Sequence, residues 1–163
     1  MAHDTGPLIT AIEQLTGHFR TLKTTLELER KAISERDLDG LEKYSTEVAD
    51  QLEKIREQDL DRQRQSLIIA QALSIPNPKQ VTLKALDEAL GSGTPLLKYR
   101  ESLIVAIEQA DRANRENQAA FRGVMAATES MLQAMGKGRR EVSYDRLGGR
   151  RANATLNVFS KQL

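Results

Sequence analysis

Residues 103–135 read LIVAIEQADRANRENQAAFRGVMAATESMLQAM, and within this run Leu103, Ile107, Ala110, Asn114, Asn117, Phe121, Val124, Thr128, Met131 and Met135 follow one another at alternating steps of 4 and 3. That period places all ten positions on one stripe of an α-helix, the pattern by which long helices pack side by side in a coiled-coil-like seam. Two amides, Asn114 and Asn117, interrupt the otherwise apolar stripe near its middle. Gly136 and Gly138 flank Lys137 just beyond it and predict the helix end, since glycine accepts the left-handed conformation that closes helices.

Upstream of this helix, Gly91-Ser92-Gly93-Thr94-Pro95 predicts a loop, with Thr94 as cap and Pro95 at the first helical position. The glycines invite comparison with a phosphate-cradling loop. The Gly-Lys-Ser/Thr ending and a preceding strand are both missing, so that reading is set aside. Thr82 to Leu90 reads as a short amphipathic piece, and Ser74-Ile75-Pro76-Asn77-Pro78 as the break before it.

Near the start, Leu8, Ile12, Leu15, Phe19, Leu22, Leu26, Glu29 and Ile33 repeat the same 4 and 3 spacing, with Pro7 in the first turn of the expected helix. The seam stops at Arg36-Asp37-Leu38-Asp39-Gly40 and restarts in a new phase at Leu41, Tyr44, Val48, Leu52 and Ile55, followed later by Leu67, Ile68 and Leu73. Either a helical hairpin turns at Asp37, or one helix of about 66 residues, near 100 Å at about 1.5 Å per residue, carries a stutter. The hairpin is expected, because a short chain must fold back to bury a stripe. Its cap is Asp37, or Asp39 with Glu42 three residues on. Between Arg56 and Arg64 opposite charges interleave around a single apolar residue, Leu60, which predicts a solvated stretch held by side-chain pairs three or four apart.

The fold expected is therefore all-α: an antiparallel bundle of three long, coiled-coil-like helices plus a short one, occupying residues 1–136, with a flexible C-terminal tail over 137–163. Composition agrees. Only 4% of the 163 residues are aromatic and 29% are charged, lean for a thick core but ordinary for helices that each bury one stripe. The net charge of +1 is unevenly spread. Residues 137–163 hold seven basic side chains against Glu141 and Asp145, a net of +5, leaving −4 on the body. Such a tail is expected to work separately and to be partly disordered, since it cannot bury enough surface to fold alone. Its last part carries Leu156, Phe159 and Leu163 at steps of 3 and 4 with Val158 alongside, enough for two helical turns formed against a partner.

Catalytic constellations are missing. There is no cysteine, and His3 and His18 have no metal-ligand company at helical spacing. The start lacks a basic and then apolar leader, and no run approaches the roughly 20 apolar residues that cross a bilayer. These features predict a cytoplasmic, non-enzymatic protein with no cofactor and no metal, working by holding other protein segments. Glu29, Asn114 and Asn117, polar residues at seam positions, have two readings. They fix helix register by satisfying one another, or they offer a polar contact to a bound partner; the first is favoured, with Glu29 accepting from one of the two amides.

The run Leu26 to Lys54, LELERKAISERDLDGLEKYSTEVADQLEK, with Glu29, Ala32, Asp37 and Leu41 in step, resembles the FlgN family of flagellar export chaperones. Asn114-x-x-Asn117 before an apolar stretch and Tyr144-Asp145-x-x-Gly148 before a basic end are similar to that family's later helix and tail. The resemblance runs from about Leu15 to Arg151 and lies in the order of these motifs. It implies a chaperone of the hook-filament junction (hook-associated) proteins that binds their terminal helical segments, prevents premature association, and delivers them to the export gate of the flagellar type III apparatus and its ATPase. It further implies that Leu156, Val158, Phe159 and Leu163 anchor the client, and that Tyr144, with Asp145 and Gly148, docks on the gate.

Two other functions fit parts of the pattern. The basic tail could contact nucleic-acid phosphates, although it lacks close interleaving of basic and aromatic residues and the body is acidic. The seam from Leu103 to Met135 could instead join two chains as a coiled-coil adaptor or scaffold dimer.

Overall fold

The computed structural model describes residues 3–136, and the basic tail with all seven of its assigned client and gate positions lies outside them. Four α-helices follow in order: α1 (Gly6–Glu35), α2 (Leu38–Ala72), the short α3 (Leu83–Ala89) and α4 (Leu96–Ala134), with a single 3-10 turn at Pro78–Gln80. No strand occurs among the described residues, and the architecture is the expected all-α bundle.

The expected hairpin is present, and its turn is built from two complementary ends. Arg36 adopts the left-handed conformation (φ 56°), and its N–H and that of Asp37 donate to the carbonyls of Ile33 and Ala32. This closes α1 as a Schellman motif, satisfying carbonyls that the helix end leaves free. Asp37 is the cap of α2, its carboxylate accepting from the Gly40 N–H at 3.0 Å. Of the two candidate caps, Asp37 is the one used.

Helix α1 is the middle of the bundle, packing along both α2 and α4, which make little contact with one another. Its buried set is accordingly wider than a two-position seam: Leu8, Ile12, Leu15, Phe19, Leu22 and Leu26 are flanked by Ala11, Thr16, Thr25 and Ala32. The two buried threonines return their hydroxyls to the carbonyls of Ile12 and Thr21, so neither brings an unpaired donor into the core.

Helix α2 corrects one expectation. Its buried stripe continues through the charged stretch as Gln51, Ile55, Asp59, Arg62, Ser66 and Ile69, while Ile68 is exposed. Asp59 and Arg62 are paired three residues apart, as the charge pattern suggested, but they lie in the interior rather than in solvent. Asp59 accepts from Arg62 Nε at 2.8 Å and from Gln63 Nε2 at 2.5 Å. The charge pairing is local, which is why the sequence shows it. The burial depends on what packs alongside, which the sequence does not show.

The break after α2 contains two left-handed residues, Ser74 (φ 55°) and Asn77 (φ 54°), before Thr82 caps α3 through the Ala85 N–H. Asp87 then organises the glycine loop, accepting from the N–H groups of Gly93 and Thr94 and from the Thr94 hydroxyl. The amides that a phosphate would need are therefore already bound within the chain, and α4 starts at Leu96, one residue later than expected. The Thr94 hydroxyl bond, helped by the two backbone bonds and opposed by burial, holds the Asp87 carboxyl below the usual carboxylate range.

Candidate interaction surface

The reconnection through α3 brings α4 back parallel to α1. At the foot, Thr5 before α1, Leu73 after α2, and Thr94 and Pro95 before α4 line one shallow cavity. Near the head, Glu29 of α1 sits beside Asn117 of α4, and Arg30 of α1 forms an ion pair with Glu116.

The head is fixed by a polar clasp joining three helices. The Glu29 carboxylate accepts from Asn117 Nδ2 at 2.7 Å and from the Ser45 hydroxyl of α2 at 2.8 Å, and Asn117 Nδ2 also donates to the Leu26 carbonyl at 2.7 Å. Asn114 is buried one turn below. A buried carboxylate with two donors and a buried amide with two acceptors lock one axial register, because sliding any helix by a turn would strand them. A second tie between α1 and α2 was not foreseen: Gln51 Nε2 donates to the Nδ1 and carbonyl oxygen of His18, at 2.8 and 3.1 Å. His18 lies beside the seam and Gln51 one residue from a seam leucine, so nothing in the periodicity pairs them.

This clasp marks where the bundle ends on α4. With Asn117 level with Glu29, the last residue of α1 stands opposite about residue 123 of α4, and the remaining residues, about eleven, outrun the hairpin by roughly 16 Å at about 1.5 Å per residue. The seam does not stop there. Asn117 is 2% exposed, Phe121 is half-buried, and beyond it Val124, Met131 and Met135 stand 39%, 60% and 62% exposed. The lower half of the stripe is spent inside the bundle, whereas the upper half is offered to whatever lies outside these residues. Leu38, at the hairpin turn, is 77% exposed.

Among the described residues no His, Cys, Asp and Glu group could hold a metal ion, and no helix is long and apolar enough to cross a membrane. No curated protein and no solved structure gives a match to the chain. A family model does: the one described as "FlgN protein" matches residues 1–152, which takes in the whole helical body and most of the tail. The polar clasp, the hairpin and the open seam of α4 thus lie within the matched span, and the chain belongs to the FlgN family of flagellar export chaperones.

Proposed function

We propose that this protein is the cytoplasmic carrier of one or more hook-filament junction proteins, holding their terminal helical segments until it delivers them to the flagellar export gate and its ATPase. The observation that carries this reading is the open upper half of the α4 seam, where Val124, Met131 and Met135 continue the spacing of the buried positions below the clasp. A client's amphipathic terminal helix supplies the missing partner for that stripe. Two methionines suit a surface that meets more than one sequence, since an unbranched thioether adapts its shape.

In this reading the tail residues Leu156, Val158, Phe159 and Leu163 close on the client from the other side, and Tyr144, Asp145 and Gly148 carry the gate contact. Client helix, stripe and tail then form a clamp. Ordering the tail on binding costs entropy, which keeps affinity moderate in a carrier that must release its load.

The test is capture of a fluorescent peptide spanning the terminal helix of a hook-filament junction protein by the full-length chain. Val124→Asp with Met131→Asp should weaken binding at least tenfold with unchanged melting, and Phe159→Ser with Leu163→Ser should speed peptide dissociation. Peptide binding indifferent to both pairs of substitutions would overturn the proposal.

The adaptor dimer is narrowed by the same geometry. Leu103, Ile107 and Ala110 are buried inside the chain's own bundle, so only the stripe above Asn117 remains for a second copy.

A further inference from the structure

The lower half of α2 carries polar groups that the packing of the bundle does not use. Gln58, Arg62 and Ser66 recur at every fourth position and so form one ridge of the helix. Arg62 is 3% and Ser66 4% exposed. Three buried side-chain polar atoms lack a hydrogen-bond partner among the described residues, and two of them, Gln58 Nε2 and the Ser66 hydroxyl, belong to this ridge. Buried polar groups are normally satisfied, so a hydroxyl left over in an otherwise paired interior calls for a partner.

A cavity lies where that partner would sit. After the left-handed turns at Ser74 and Asn77, residues 78–82 come back against α2, and between them and Arg62, Gln63 and Ser66 a cavity of about 270 Å³ remains. At about 30 Å³ per water this is room for roughly nine, far more than one hydroxyl needs. The lining holds two cations, Arg62 and Lys79, and no carboxylate. Asp59, outside the lining, accepts from Arg62 Nε at 2.8 Å, which fixes the guanidinium while its two terminal nitrogens are not spent on that bond. The Thr82 hydroxyl accepts from the Ala85 N–H, a bond that leaves its own proton to donate.

We propose that this cavity binds a small phosphate monoester. A tetrahedral oxyanion takes several donors at once, and Arg62, Ser66, Lys79 and Thr82 offer them from both walls with no carboxylate among them. Water alone would satisfy the Ser66 hydroxyl but gives no role to two lining cations. Asp59 offsets part of the Arg62 charge, so directed donors select the ligand more than net charge does. Volume decides between the free anion and an ester: phosphate by itself leaves most of the cavity to solvent, whereas a glycerol-sized ester fills it. The site is separate from the open seam of α4. Arg62 lies 17 residues along α2 from Ser45, the α2 member of the polar clasp, about 25 Å at about 1.5 Å per residue. It stands whether or not α4 holds a client.

The experiment titrates the full-length, isotope-labelled chain with glycerol 3-phosphate, with inorganic phosphate, and with sodium chloride at matched ionic strength. Glycerol 3-phosphate should shift the amide signals of residues 62–66 and 79–82 saturably and leave those of 121–135 in place. Inorganic phosphate should bind the same residues at least threefold more weakly, and chloride should give no saturable shift. Lys79→Gln, at an exposed position, should weaken the ester at least threefold without touching the fold. Ser66→Ala should weaken it to a similar degree with melting unchanged or raised, because its hydroxyl has no partner to lose in the free protein. A cavity that merely holds solvent predicts no such split between affinity and stability. No saturable shift with either phosphate compound would overturn the proposal, as would an equal response to chloride or binding indifferent to both substitutions. Inorganic phosphate binding as tightly as the ester would assign the cavity to the free anion and overturn the ester.

Discussion

The Glu29 carboxylate is satisfied by a hydroxyl from one helix and an amide from another, so its neighbours cannot be removed cheaply. Asn117→Ala takes away the amide and leaves a buried carboxylate short of a donor, an expected loss of about 1–3 kcal/mol that chemical denaturation would measure. Asn117→Asp should be worse, since it sets a second carboxylate against the first. A further residue-scale expectation concerns acid. Asp87 has its carboxyl held below the usual range, chiefly by the Thr94 hydroxyl. It therefore binds its proton less readily folded than unfolded; its stabilising contribution is complete above the ordinary aspartate value near 3.9 and fades as pH falls through the lowered one. Asp87→Asn should accordingly lower the melting temperature at neutral pH and shrink the drop between pH 5 and pH 2, read by calorimetry. Periodicity alone marked Glu29, Asn114 and Asn117 as odd members of apolar stripes. The Ser45 partner was hidden because its hydroxyl carries no periodic signal, and Gln51 with His18 for the same reason.

At the level of elements, the hairpin turn is where local chemistry decided most. Asp37, Gly40 and the end of the first seam were legible because capping is a short-range event, complete within a handful of residues. A side-chain carbon added at Gly40 would stand 2.2 Å from an Asp37 carboxylate oxygen, so Gly40→Ala should disrupt the cap and cost about 1 kcal/mol by denaturant midpoint. Arg36→Gly should act the other way, gaining up to about 1 kcal/mol, because glycine adopts the positive φ of 56° without penalty. The stretch Arg56 to Arg64 shows the limit of such reading. Its i to i+3 pair is visible in the sequence, but the burial of Asp59 and Arg62 depends on a neighbouring element. The seam of α4 shows the same limit on a larger scale: spacing says which face is apolar, and says nothing of how far the facing helix extends.

For the molecule as a whole, the core lies along α1, with α2 and α4 as its two walls, and among the described residues none beyond Asn117 is buried. Removing residues 137–163 should therefore leave the cooperative melt of the helical body within about 1 kcal/mol of the full chain, by circular dichroism. A larger loss would mean that the tail belongs to the core. The number and class of long helices could be read from the sequence. The parallel return of α4 could not, since it is imposed by the α3 connection and by contacts such as Glu29 with Asn117, 88 positions apart.

That separation has a consequence for synthesis. Helix α1 leaves the ribosome before the other described helices and can fold onto α2 within its own hairpin, but the wall that covers its other flank, α4, is translated after both. At about 5–20 residues per second, on the order of 4 to 18 s pass between the appearance of Glu29 and that of Asn117. During that interval the nascent chain displays one flank of an amphipathic helix uncovered, the kind of surface from which the proposed carrier would shield its clients.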